Sequence, residues 1–205
     1  RTAFDTGLAA IQAAQETIRL MKARAALLWE IDEEEVIFDG GIFRCTSTED
    51  NISFKDLSAR LMQTGGPVTC SVSAASPGSG PIIAGNLVDV EVDPETGKVD
   101  ILRYTAFMDV GTAVHPAYVE GQIQGGTVQG IGWALNESYF YDEEGVMLNS
   151  SFLDYRMPTS LDVPMIDTVM IEVPNPKHPF GIRGVGEAPI IPPLPALAIA
   201  VSNAI

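Results

Sequence analysis

The sequence predicts an α+β protein with two subdomains, in which helices pack on small mixed or antiparallel sheets. Apolar residues recur near every 3.6 positions over 1–30 and again over 116–135, which is typical of amphipathic helices. Residues 88–92 alternate valine with acids, and a turn and a second strand-like run follow them. Strands and helices do not alternate strictly along the chain, so a doubly wound parallel sheet is not predicted.

Composition excludes several classes of function. The chain has 205 residues, of which 46% are hydrophobic, so it can bury a real core. Its net charge of −15 argues against nucleic acid and anionic membranes as partners. No apolar run has membrane-spanning length, no signal peptide is recognised, and Cys45 and Cys70 suit a reducing compartment, so we expect a cytoplasmic protein. Because the chain starts at Arg1 and stops within an apolar helical pattern, we expect a fragment or one subunit of a larger protein.

The first subdomain is predicted over 1–64 as a helix, a hairpin and a second helix. The first helix covers 1–30, with Thr2 and Asp5 as a candidate capping box, and the hairpin covers 36–43. Ser53 and Asp56 predict the start of a short helix that runs to about residue 63. A linker rich in Gly, Ser and Pro follows over 65–85, with a candidate strand at 68–73.

The second subdomain is predicted over 86–205 and holds two features of interest, a glycine-rich helix and a glycine-rich loop. The remaining elements are a hairpin over 88–108, a second hairpin over 138–149, a strand over 167–173 and a terminal helix from about residue 195.

The predicted helix that begins at Pro116 contains five glycines. Each glycine costs up to about 1 kcal/mol against alanine in a helix interior, so together they cost roughly 4–5 kcal/mol. Gly121 and Gly125 share one face, as do Gly126 and Gly130, and such faces admit either a packed backbone or a flat ligand. The amides of Gln122, Gln124 and Gln129 lie among them and suit a polar heterocycle. Both interpretations, tight packing and ligand contact, remain open from the sequence.

The glycine-rich loop covers 177–192 and contains Gly181, Gly184 and Gly186. These glycines permit a positive φ or a close approach to something bulky. Glu187 follows them and precedes an apolar run, which we expect to bury the carboxylate. A buried carboxylate holds its proton more tightly, which suits a general base. The alternative is an acid placed near a helix N-terminus, where the helix dipole stabilises it.

No metal site made of protein side chains is predicted. The acids of 88–93 alternate toward solvent without calcium-loop spacing, and two cysteines cannot hold an iron–sulfur cluster. His115 precedes a proline and is interpreted as a turn residue.

Several ordered motifs resemble the large subunit of the molybdenum hydroxylases, the xanthine dehydrogenase and aldehyde oxidase family. The motifs are Arg-Thr-Ala-Phe at 1–4, Val-Glu-Val-Asp-Pro-Glu-Thr-Gly at 90–97, Asp-Val-Gly at 109–111, Gly-Gln at 121–122, Gly-Gly at 125–126, Gln-Gly at 129–130, Asn-Glu at 136–137 and Gly-Val-Gly-Glu-Ala-Pro at 184–189. They lie in the family's order and cover nearly the whole chain, so the chain resembles the C-terminal, molybdopterin-binding half of that subunit.

The resemblance implies an oxidoreductase that hydroxylates an aldehyde or an N-heterocyclic, purine-like carbon with oxygen from water. Molybdenum would be held by a pterin cofactor, in its plain or its cytosine dinucleotide form, and Glu187 would be the active-site base. The implied cofactor contacts are Gln122, Gly125, Gly126, Gly184, Gly186 and Thr2.

The implied partners are the N-terminal half of the large subunit and the domains or subunits that carry iron–sulfur clusters and FAD, in an oligomer that acts on a small-molecule substrate. Because the N-terminal half carries the other cofactor loops, we expect this chain by itself to be inactive. The alternative is a non-catalytic structural or interaction module that keeps the fold without the chemistry.

Overall fold

The chain folds into two compact units, Thr2–Ala75 and Ser76–Ile205. The computed structural model describes residues 2–74, 80–178 and 180–205, with the backbone alone for Thr2. The division falls inside the segment 65–85 that was predicted as a linker. Each unit has its own hydrophobic cluster and combines helices with one three-stranded sheet, so the predicted α+β class is confirmed.

The first unit is built on one long helix and a small antiparallel sheet. Helix α1 (Gly7–Trp29) follows a short π-helical turn (Thr2–Thr6), so the regular helix starts later than predicted. The candidate capping pair cannot be assessed, because the Thr2 side chain lies outside the described part. The sheet has the order β1 (Val36–Asp39), β2 (Ile42–Cys45), β3 (Asn51–Ser53).

A short helix, α2 (Phe54–Ala59), follows the sheet of the first unit. The Ser53 hydroxyl accepts a hydrogen bond from the Asp56 backbone N–H at 3.0 Å, which confirms the predicted cap. Met21, Phe43 and Leu57 are at the centre of this core. The candidate strand at 68–73 is wrong: the described residues 67–74 form no strand, since they have no ladder partner in this unit.

The second unit is a mixed sheet with two helices on one face. Its strands are β4 (Ala84–Val92), β5 (Val99–Asp109) and β6 (Ile166–Ile171), with β4 antiparallel and β6 parallel to β5. Helix α3 (Pro116–Leu135) lies between β5 and β6 in chain order, and helix α4 (Pro193–Ala204) is the last element. The hairpin β4–β5, the strand near 167–173 and both helices were predicted from the sequence.

The core of the second unit lies between the sheet and the two helices. Tyr104 and Met108 of β5 meet Ile123 of α3 and Leu197 of α4, and all four are at most 1% exposed. Burial raises the pKa of the Tyr104 phenol, although a hydrogen bond from the Asn86 amide at 2.7 Å partly opposes the shift. This packed layer fixes α3 against the sheet.

The predicted hairpin over 138–149 forms, but it is shorter than predicted. Tyr141 and Met147 make one antiparallel bridge, and the Leu148 backbone N–H donates to the carbonyl oxygen of Phe140 at 2.7 Å. The Asn149 side chain instead bonds the backbone of Ser138 and Phe140, so a side chain takes over hydrogen bonds that a strand partner would make. Within the described ranges, no helix has the length and apolar character needed to cross a membrane.

Candidate functional site

Helix α3 begins at a defined cap. The His115 Nδ1 accepts a hydrogen bond from the Tyr118 backbone N–H at 3.3 Å, and Pro116 takes the first helical position, where its missing N–H costs nothing. The two rings stack with centroids 3.9 Å apart. His115 is thus a capping residue, as its turn context indicated.

One glycine pair of α3 faces a packed surface. A Cβ at Gly126 would lie 2.9 Å from the Cβ of Pro189, and one at Gly130 would lie 2.7 Å from the carbonyl oxygen of Ile190 and from Cγ of Pro193. The short 3₁₀ turn Ala188–Ile190 and the start of α4 therefore pack directly on the helix backbone. Alanine at either position would push against a rigid ring or a backbone atom.

The other glycine pair faces open space. A Cβ at Gly121 or Gly125 would meet nothing within 4 Å in the part of the chain that the structure describes. The sequence left two interpretations of the glycines open, tight packing and ligand contact, and the structure shows packing for one pair alone. Gly126 and Gly130 allow protein packing, whereas Gly121 and Gly125 leave a bare helix surface.

This bare surface is the floor of a groove of about 290 Å³. The loop that follows β6 forms its opposite side. The lining residues are Gly121, Gln122, Gly125, Gly126, Gln129, Gly186, Glu187 and Ile190. Five predicted site residues are thereby brought together: Glu187, Gln122, Gly125, Gly126 and Gly186.

Gln122 connects the helix to the loop. Its side-chain Nε2 donates a hydrogen bond of 2.7 Å to the carbonyl oxygen of Gly186. Glu187 follows directly, so this bond holds the acid at the rim of the groove. The remaining amide oxygen of Gln122 and the amide of Gln129 have no hydrogen-bond partner among the described residues, so both side chains keep unpaired polar atoms in the groove lining.

Glu187 is exposed, contrary to the expectation that the following apolar run would bury it. Pro189 is buried against α3, and Ile191 is 72% exposed, so neither covers the carboxylate. The alternative placement near a helix N-terminus is met, because Glu187 takes the N-cap position of the 3₁₀ turn Ala188–Ile190, although its side chain makes no capping hydrogen bond. Within the described chain the Glu187 carboxylate has no partner at all.

Gly184 and Gly181 have different structural roles. Gly181 adopts a positive φ of 66°, where it closes a turn against Thr112 and Pro174. Gly184 and Gly186 do not have a positive φ, so of the two possibilities that the sequence left open only a close approach remains for them. Gly184 does not line the groove, and a Cβ added there would lie 3.8 Å from Cδ1 of Ile82.

Thr2 belongs to the first unit, and its side chain is not described, so its role as a cofactor contact stays a prediction. Gln129 and Ile190 line the groove without having been assigned to the site. Gln129 is four residues after Gly125 on the same helical face, a spacing that could have identified it. No group of three or more His, Cys, Asp or Glu side chains in the described ranges is arranged to hold a metal ion.

The family model of the molybdopterin cofactor-binding domain matches residues 1–164. The chain belongs to this family. The predicted resemblance to the molybdenum hydroxylase large subunit is thereby confirmed.

Relatives of this chain include a subunit of a dehydrogenase complex and a molybdenum-binding subunit. Subunit gamma of the 6-hydroxypseudooxynicotine dehydrogenase complex of Paenarthrobacter nicotinovorans is 32% identical over 100% of this chain and 27% of its own length. A putative xanthine dehydrogenase molybdenum-binding subunit of Escherichia coli K12 is 35% identical over 75% of this chain and 20% of its own length. The chain spans about a quarter of the length of such relatives.

A solved structure supports the same family. The crystal structure of the Cu,Mo-CO dehydrogenase in its carbon monoxide reduced state superposes with a TM-score of 0.80 at 27% identity. The match covers 100% of this chain and 26% of that chain. The fold described above is therefore that of part of a molybdenum hydroxylase large subunit.

The groove fits a molybdopterin cofactor in two respects. Its floor at Gly121 and Gly125 has no side chain, so a flat ring can lie directly on the helix. The amides of Gln122 and Gln129 offer both donors and acceptors at its edge, as a pterin heterocycle requires. These are the residues of this chain that would hold the cofactor.

Proposed function

We propose that the groove between α3 and the loop at 184–187 is one wall of the molybdenum cofactor site, and that Glu187 is the general base there. The observation that carries this proposal is the exposed, unpartnered Glu187 carboxylate at the rim of a groove with a bare glycine floor. Other exposed acids of the described chain, such as Glu120, also lack a partner, so what distinguishes Glu187 is its place beside this floor, next to the Gly186 carbonyl that Gln122 holds.

The reaction supported best is hydroxylation of an electron-poor carbon, in an aldehyde or an N-heterocycle, with oxygen from water. The bound molybdenum cofactor would supply the two-electron oxidation. Glu187 would accept the proton released from water as the new carbon–oxygen bond forms. Gln122 would keep that carboxylate in place through its bond to Gly186, and the open floor at Gly121 and Gly125 would receive the pterin.

The complete site requires more protein than this chain. The groove is open on one side, and the chain spans about a quarter of its relatives, so we infer that the other half of a large subunit covers it. Partner domains or subunits with iron–sulfur clusters and FAD would carry the electrons away. We also propose that this chain has no catalytic activity when it is alone.

The test is Glu187→Gln in the assembled enzyme. The amide keeps the shape of the side chain and removes its basicity. General base catalysis contributes about 10²–10⁴-fold, so turnover per bound molybdenum should fall by about that range, while molybdenum content changes little. Glu120→Gln is the matched control, because Glu120 is an exposed acid on α3 that does not line the groove.

The control should keep near-normal turnover. If Glu187→Gln also keeps it with a full complement of molybdenum, Glu187 is not the base. The chain would then be assigned a structural role in the subunit.

A further inference from the structure

A buried ion pair lies at the base of the loop that carries Glu187. The Arg183 Nε is 3.0 Å from Asp109 Oδ2, and the two side chains are only 10% and 11% exposed. A buried ion pair is weak grounds for stability, because desolvation offsets most of the attraction. Such a pair can instead fix one arrangement of several segments.

Asp109 holds the ends of two strands. Its Oδ1 accepts hydrogen bonds from the backbone N–H of Gly111 at 3.0 Å and from that of Val173 at 3.2 Å. Gly111 follows β5 and Val173 follows β6. The Asp109 carboxylate therefore fixes the backbone directly after the two parallel strands, β5 and β6.

Arg183 extends this connection with its planar guanidinium. Besides Asp109, Nε lies 3.3 Å from the carbonyl oxygen of Val173, and Nη1 donates to the carbonyl oxygen of Pro81 at 3.0 Å. The ion pair thus joins the segment before β4, the ends of β5 and β6, and the loop itself. A lysine keeps the charge but lacks the rigid fork that makes several such bonds at once.

The segment from Arg183 to Glu187 is fixed at both ends. The Arg183 backbone N–H donates to the carbonyl oxygen of Val110 at 3.1 Å, and the Gly186 carbonyl oxygen accepts the bond from Gln122. Between them Val185 packs against the core of the second unit. Little backbone freedom is left between the ion pair and the acid.

We propose that the Arg183–Asp109 ion pair is a positioning device that sets the place of the Glu187 carboxylate relative to the groove. The proposal rests on the proposed function of Glu187. Neither residue lines the groove, so their effect on the reaction passes through the loop backbone.

The test uses Arg183→Lys in the assembled, molybdenum-loaded enzyme. A misplacement of about 1 Å can cost about 10²-fold in rate, so kcat per molybdenum should fall by about 10- to 100-fold with KM and molybdenum content nearly unchanged. Arg103→Lys is the matched control, since Arg103 pairs with Asp89 at 2.8 Å on the exposed surface of the same unit. It should leave kcat unchanged.

A double variant separates positioning from general structure. If Arg183 acts through Glu187, adding Arg183→Lys to Glu187→Gln should cost little further turnover. Losses that multiply in the double variant, or normal kcat in Arg183→Lys, would overturn the proposal. If Glu187 is not the base, the result is different, because the single variant Glu187→Gln then keeps normal turnover.

Asp109→Asn covers the case in which Arg183→Lys does not fold. The asparagine keeps the acceptor for Gly111 and Val173 and removes the charge that orients the guanidinium. The same selective fall in kcat is expected. If neither variant assembles, the pair is a folding element and the positioning role is refuted.

Discussion

Two glycines of one helix offer a sharp test of the groove. Gly125→Ala and Gly130→Ala each gain up to about 1 kcal/mol of helix propensity, so that gain cancels when the two variants are compared. At Gly125 the new methyl group meets nothing within 4 Å, whereas at Gly130 it lies 2.7 Å from the Ile190 carbonyl oxygen and Pro193 Cγ. Neither neighbour can rotate away, so overpacking at Gly130 should cost roughly 1–3 kcal/mol.

The assay is thermal unfolding of the two variants side by side. For a protein of this size 1 kcal/mol shifts the melting temperature by about 2–4 °C, so Gly130→Ala should melt about 2–12 °C below Gly125→Ala. Equal melting temperatures would refute the division of the glycines into a packed and an open pair.

The same position tests cofactor binding. Gly125→Leu should leave the fold intact, because the space above it is open within the described chain. In the assembled enzyme it should lower molybdenum content, since the side chain would occupy the floor of the groove. Full molybdenum content in a correctly folded Gly125→Leu enzyme would contradict the proposed place of the cofactor.

Three further predictions follow from the same structure. The chain purified alone should fold but carry no molybdenum by elemental analysis, since its groove is one-sided; stoichiometric metal would contradict this. The raised pKa of Tyr104 means that the folded state holds this proton more tightly. The contribution of this phenol to the free energy of unfolding should be complete below about pH 10 and should be lost as the pH rises further. In denaturant unfolding at high pH, Tyr104→Phe should therefore lose less stability than the unmodified protein. Gly181→Ala should destabilise by roughly 1–3 kcal/mol, because φ is 66° and Thr112 Oγ1 lies 2.8 Å from the new Cβ, whereas Gly186→Ala should not change the melting temperature.

Local patterns predicted most elements of the second unit. The alternation of valine with acids predicted β4, and the turn and strand-like run after it predicted β5, because a half-buried sheet selects that period. The cluster of glycines before Glu187 predicted a loop of interest. The period of α3 also placed Gly121 with Gly125 and Gly126 with Gly130.

Long-range contacts decided what local patterns left open. Both glycine pairs have the same spacing, and only the packing of Pro189 and Ile190 shows which pair is covered. Likewise, the Arg183–Asp109 pair joins residues distant in sequence, so no periodicity could reveal it. The expected burial of Glu187 was wrong, because Pro189 and Ile190 pack on α3 and Ile191 is exposed, so none of them covers the carboxylate.

The most direct measurement is a crystal structure of the assembled, molybdenum-loaded enzyme, read at the groove. We predict pterin atoms in van der Waals contact with Gly121 and Gly125 and a hydrogen bond from the heterocycle to an amide of Gln122 or Gln129. The Glu187 carboxylate should face the metal centre. Protein side chains filling the groove, with the cofactor bound elsewhere, would contradict it.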